Sequence, residues 1–193
     1  MSNPTFPIKP DLSSEVLKIT SLDHCQWIGI APFAQYQSKM YPLDLIEQVI
    51  SELNNSNKYK IFLFGGGNHE VKILNEIETE FKNVISVAGK LKLIDELNLI
   101  SNLDCMVSMD SANSHLAAMQ GVKTITIWGI THPFAGFAPF NQPMEHLLLP
   151  DLDKYPNIPC SVYGNKVCKG YEDAMRSILP SNVVEKITNI IKK

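Results

Sequence analysis

Residues 110–115 of the sequence read Asp-Ser-Ala-Asn-Ser-His, five polar side chains in six positions. They follow the apolar run DCMVS (104–108) almost directly and lead into LAAMQG, which ends at Gly121. Such a run is a poor way to build a core and a good way to line a site at the carboxyl end of a strand. Asp110 is an acceptor for hydroxyl groups, and either Asp110 or Ser111 can cap a helix that starts near Ala112. A helix start carries unpaired backbone N–H groups and about half a positive charge, which suits a phosphate group. Ala112 is small enough to let a ligand approach that backbone. The same residues also serve as an ordinary capped helix with His115 bonded to a neighbouring loop, and the stretch by itself leaves both readings open.

Other polar groups sit at corresponding places along the chain. The apolar run WIGIAPF (27–33) is followed by Gln35, Ser38 and Lys39; YKIFLF (59–64) by three glycines and then Glu70. NVISVAG is followed by Lys90 and Leu91, and VKTITIW (122–128) by Gly129, Thr131 and His132. The run FGGGNHE has the glycines of a phosphate cradle but is neither GxGxxG nor a Walker loop. Glu70 reads either as an acid favoured near a helix start or as an acceptor for ribose hydroxyls. Lys39 reads either as a solvated lysine or as a cation for a diphosphate. A hydrolase triad of Asp110, Ser111 or Ser114, and His115 has the residue types but lacks the G-x-S-x-G elbow, and its members share one helix start rather than converging.

The elements that must position these groups alternate. Apolar strand-like runs at 27–33, 59–64, 83–89, 104–108 and 122–128 are separated by helical patterns at about 43–53, 69–81, 93–101 and 112–119. Pro42 stands at a plausible first helical position, and Gly121 is placed for a left-handed cap. Continuous Val/Ile/Leu-rich strands separated by helices specify a parallel sheet covered on both faces. The predicted fold is therefore a doubly wound α/β domain, Rossmann-like, whose ligands bind outside the carboxyl ends of the strands. This domain is expected over 27–193, after a lead-in segment or linker over 1–26. A loop from 130 precedes a last amphipathic helix over 182–191.

The chain has 193 residues, 45% hydrophobic and 19% charged, and a net charge of −3. That is ordinary globular material for one domain. The absence of a basic run argues against duplex nucleic acid as a partner, while a small phosphorylated ligand needs only one or two local cations. Cys105 reads as a core residue. Cys25, Cys160 and Cys168 make no known metal-ligand spacing, so no metal site is expected, and four cysteines are far from a disulfide scaffold. No run approaches the roughly 20 apolar residues of a membrane span, and the first residues lack the pattern of a secretory signal, so the expected compartment is the cytoplasm.

Taken in order, several stretches resemble the C-terminal, donor-binding half of the lipopolysaccharide heptosyltransferases, glycosyltransferase family 9. APFAQYQSKMYP is similar to the family's first loop, FGGGNHE to its glycine-rich turn ending in glutamate, and AGKLKLIDELNLISN to its Gly-Lys-aliphatic turn. DSANSHLAAMQG resembles its signature Asp-Ser/Thr-Gly-x-x-His-Leu-Ala-Ala, with Ala112 in place of glycine. WGITHPFAGFAP is similar to its Gly-x-Thr-x-Pro loop, and the tail from Cys160 echoes its cysteine-containing segment. The likeness covers about residues 27–192. It implies one half of a GT-B arrangement, an inverting, metal-independent transfer, and a nucleotide-sugar donor, usually ADP-heptose, with no further cofactor. By resemblance, Lys39 binds the diphosphate and Glu70 the ribose, and Lys90 and Leu91 border the base. Asp110 bonds sugar hydroxyls, while Ser111, Ala112 and His115 surround the phosphates. The acceptor, a lipopolysaccharide core at the inner membrane face, and the catalytic base would belong to an N-terminal acceptor domain that this sequence begins too late to include. The alternative is a non-catalytic nucleotide or nucleotide-sugar binding module.

Overall fold

A computed structural model of the chain describes residues 4–20, 25–166 and 168–192. Six parallel strands form one sheet in the order β3-β2-β1-β4-β5-β6. They are β1 (Gln26–Ala31), β2 (Tyr59–Leu63), β3 (Val84–Ser86), β4 (Cys105–Met109), β5 (Thr124–Ile127) and the two-residue β6 (Leu147–Leu148). The helices are α1 (Ser14–Ile19), α2 (Leu43–Asn55), α3 (Gly67–Glu80), α4 (Leu93–Ile100), α5 (Ala112–Met119) and α6 (Pro180–Lys192). The α/β doubly wound, Rossmann-like fold expected from the sequence is the observed one. The strand order reverses between β1 and β4, and this switch point is where such sheets open a crevice for ligands.

Alternation along each strand divides the core in two. Ile28 and Ile30 of β1, Ile61 and Leu63 of β2, and Cys105, Val107 and Met109 of β4 face one cluster with α2, α3 and α6. Trp27 and Ala31, Phe62, and Met106 face the other with α1, α4 and α5. Both faces are covered, and the near-continuous apolar sequence of β1, β2 and β4 follows, while β5 buries Thr124 and Thr126 on one face. α6 docks through Val183, Ile187 and Ile190, all buried at 3.6-residue spacing; burial stabilises by about 1.5–3 kcal/mol for each such side chain. Burial also pushes the Cys105 thiol up to about 12, so it stays a neutral core residue.

The differences from sequence expectation are local. Pro42 is the residue before α2 rather than its first. Gly121 adopts φ +77°, the left-handed conformation expected after α5. Within the lead-in, α1 places Val16 in the second core cluster, and Ser13 donates from its backbone to Asn98 Oδ1 at 2.8 Å and from its hydroxyl to Asp95 Oδ1 at 2.8 Å. Cys160 and Cys168, which their spacing left unassigned, are joined by a disulfide.

Candidate functional site at the switch point

Parallel pairing of β1 with β4 and of β4 with β5 brings the loops after these three strands to one edge. At that edge Lys39 Nζ lies 2.8 Å from Asp110 Oδ2, with the two side chains only 13% and 4% exposed. Thr131 Oγ1 donates to the same Asp110 oxygen at 3.0 Å. Three elements distant in sequence thus meet in one buried polar cluster. Asp110 is drawn toward the charge of Lys39 and does not turn back to cap α5.

Lys39 is fixed by what surrounds its stem. A β-carbon at Gly164 would sit 2.7 Å from its Cε, so the glycine allows close packing that a larger residue would prevent. Ser38 Oγ donates to the Gly164 carbonyl, and the Phe137 ring lies 5.7 Å from the ammonium. Phe137 in turn meets Tyr163 edge-on at 5.9 Å. The Cys160–Cys168 disulfide lies on either side of Tyr163 and Gly164 in the chain.

At the start of α5, Ser111 is the N-cap residue, yet its side chain makes no capping bond. Its hydroxyl lies 3.0 Å from Ser108 Oγ instead. The expected side-chain cap is therefore absent: Lys39 and Thr131 occupy Asp110, and Ser108 occupies Ser111. The first-turn N–H groups of α5 therefore have no side-chain cap, and Ala112 beside them is exposed. His115 is half-buried on the same helix. Ser114 Oγ donates to the Ser111 carbonyl at 2.7 Å, and with Asp110 engaged elsewhere no Ser-His-Asp relay is assembled.

Glu70 lies one strand over, at the start of α3, where its Oε2 accepts from the Gly66 backbone N–H at 2.7 Å. The acid thus satisfies one orphan donor of its own helix. A β-carbon at Gly66 or Gly67 would meet nothing within 4 Å, so the space above this turn is open. A cavity of about 160 Å³ lined by Phe33, Ala34, Met40, Tyr41, Glu70 and Ile73 adjoins it. Glu70→Ala is expected to cost at most about 1 kcal/mol, because the bond it removes is exposed to water; urea unfolding measures this. Lys90 and Leu91 stand further out, after β3. Lys90 pairs with Glu78 at 2.8 Å, and Leu91 is partly buried against the second core cluster. The structure does not bring the Lys90 ammonium to the Lys39–Asp110 pair.

Of the two polar residues noted after the fifth strand, Thr131 joins the cluster through Asp110. His132 bonds within its own loop instead: its Nδ1 accepts from the Phe134 N–H at 3.2 Å, and burial holds its pKa below the usual value.

The model of glycosyltransferase family 9 (heptosyltransferase) matches residues 3–176. The chain belongs to that family. Lipooligosaccharide heptosyltransferase 2 of Campylobacter jejuni is 28% identical to it over 171 residues, which make up 86% of this chain and 51% of that protein. The solved ADP-heptose LPS heptosyltransferase II of E. coli shares the fold with a TM-score of 0.71 at 18% identity, over 100% of this chain and 56% of that one. An E. coli heptosyltransferase solved with ADP-2-deoxy-2-fluoro heptose gives a TM-score of 0.61 at 18% identity, over 94% of this chain and 50% of that one. The chain therefore spans about half the length of the curated relatives it matches.

Proposed function

We propose that residues 27–193 form the donor-binding domain of an inverting heptosyltransferase, and that they hold ADP-heptose at the switch point. The observation that carries this reading is the buried Lys39–Asp110 pair beside the uncapped start of α5. Lys39 carries three N–H donors and spends one on Asp110, leaving others for phosphate oxygens. The α5 N–H groups add a second, uncharged set of donors, and Glu70 beside the open glycine turn accepts from the ribose. Asp110 keeps an oxygen for sugar hydroxyls, and Ser111, Ala112 and His115 flank the phosphates. Lys90 and Leu91 border the base. The names of the relatives support the donor, since one is an ADP-heptose transferase and another was solved with an ADP-heptose analogue.

In the transfer, an acceptor hydroxyl attacks the anomeric carbon as the bond from that carbon to the diphosphate oxygen breaks, so the configuration inverts. The electron pair leaves with ADP. Negative charge grows on the leaving phosphate, where Lys39 and the start of α5 already point their donors. The acceptor's proton passes to a carboxylate of an acceptor-binding domain, corresponding to the half of the relatives that this chain does not span. The acceptor is the core of a lipopolysaccharide, met at the cytoplasmic face of the membrane. Among the described residues, no helix is long and apolar enough to cross a membrane.

Calorimetric titration of the chain with ADP, GDP, UDP and ADP-heptose tests the reading. ADP is expected to bind in preference to GDP and UDP, with Glu70→Ala weakening ADP itself. Preference for another nucleotide, or no binding at millimolar ligand, would overturn the donor assignment. The chain by itself is expected to transfer no heptose to a lipopolysaccharide core acceptor.

A further inference from the structure

Thr131 follows β5 and is fully buried. Its hydroxyl donates to Asp110 Oδ2 at 3.0 Å, the oxygen that also lies 2.8 Å from Lys39 Nζ in an ion pair. Two donors on one carboxylate oxygen leave Oδ1 without a hydrogen bond among the described residues. Oδ1 is also absent from the fully buried side-chain atoms that lack a partner, so it keeps a little contact with solvent. A carboxylate facing an ammonium alone is free to rotate and share both oxygens with it. The Thr131 hydroxyl opposes that rotation, because turning the carboxylate would leave a fully buried donor unpaired. Thr131 is itself held: the neighbouring Ile130 N–H donates to the Ser38 carbonyl at 3.4 Å, and the Cys160 N–H donates to the Ile130 carbonyl at 3.2 Å.

We infer that Thr131 is a positioning residue that fixes the Asp110 carboxylate so that Oδ1 accepts from a hydroxyl of the donor sugar. The inference rests on the donor-site reading above and adds how the site tells the sugar from bare nucleotide. An ionised carboxylate is acceptor-only, so the sugar must present a hydroxyl that donates. Thr131 touches no phosphate in this arrangement, so its role is confined to the sugar.

The test compares the affinities of ADP and ADP-heptose for the unmodified chain, Thr131→Val and Thr131→Ser, with thermal midpoints confirming that each variant is folded. Valine keeps the shape and removes the hydroxyl; serine keeps the hydroxyl and removes the methyl. In Thr131→Val the gain of ADP-heptose over ADP is expected to fall about 10-fold, the scale of one hydrogen bond to a charged group. Thr131→Ser is expected to restore the gain. A full gain retained in Thr131→Val, or equal weakening of ADP and ADP-heptose, would overturn the inference while leaving the donor site intact; so would a serine variant that behaves as valine does. Absence of ADP binding by the unmodified chain removes the donor-site reading itself, and this inference with it.

Discussion

Asp110→Ala is expected to lower the stability of the chain by about 3–5 kcal/mol, the range for removing one partner of a buried pair. The same substitution is expected to abolish the gain of ADP-heptose over ADP. Lys39 is only 13% exposed, and the loss of its partner strands a buried ammonium, while the Thr131 hydroxyl loses its acceptor. Water reaches the ammonium too little to repair either loss. Lys39→Met combined with Asp110→Leu separates the two effects. With both charges gone the desolvation cost disappears, and the double variant is expected to regain most of the lost stability, since apolar replacement of a buried pair is often close to neutral. Nucleotide binding is not expected to return, because no cation remains to meet the diphosphate. Urea unfolding of the single and double variants, beside calorimetry with ADP, reads both quantities. A cost of Asp110→Ala below about 1 kcal/mol would mean the pair behaves as a solvated surface bridge.

On the donor-site proposal, that pairing also explains how a chain with net charge −3 would hold an anion. The site does not depend on a basic surface. Lys39 is kept in place by a carboxylate, an aromatic ring and a glycine contact, and the uncapped start of α5 adds donors without adding charge. Much of the cost of holding the cation out of water is offset before any ligand arrives. What remains in that proposal is directional: donors for phosphate, an acceptor oxygen for sugar.

The sheet was legible because strands covered on both faces have no polar alternation to blur them. The runs at 27–33, 59–64 and 104–108 read as β1, β2 and β4 within two or three residues, and α5 was read at its observed bounds. α1 and β6 were not legible. The first is six residues long and gains its place from Val16 and the Ser13 bonds to α4, which are tertiary. The second is two residues of Leu147–Leu148 paired to β5, shorter than any periodic signal. Site chemistry divided in the same way. The residue types at the strand ends could be read from spacing, since topology sends each of them to one edge. Which atoms meet could not. Lys39 and Asp110 are 71 positions apart and Thr131 is 21 further on, so only the register of β1, β4 and β5 brings them together. The capping expectation failed at Asp110 for that reason, its carboxylate being drawn to a charge from another loop, and at Ser111 because its hydroxyl meets Ser108 instead.

Gly129→Ala should be the most disruptive single methyl that can be added near the site. A β-carbon there would lie 2.1 Å from the Ser38 carbonyl oxygen and 3.0 Å from Met175 Sδ. A methionine tip can move; a backbone carbonyl cannot move alone, because Ser38 also accepts from the Ile130 N–H and its hydroxyl binds the Gly164 carbonyl. On the other side, Trp128 is fully buried and its backbone N–H donates to the Leu148 carbonyl at 2.9 Å, so the chain after β5 cannot yield outward. Relief therefore requires the loop carrying Lys39 to separate from the loop carrying Thr131. The expected cost is about 3 kcal/mol or more, at the upper end for overpacking, together with a loss of nucleotide affinity as Lys39 leaves Asp110. Gly66→Ala supplies the comparison, since its added carbon meets nothing within 4 Å. It should cost about 1 kcal/mol or less, the scale of an altered N-cap. Urea midpoints that fall equally in the two variants would show that the contact between these loops is not what holds the lysine in place.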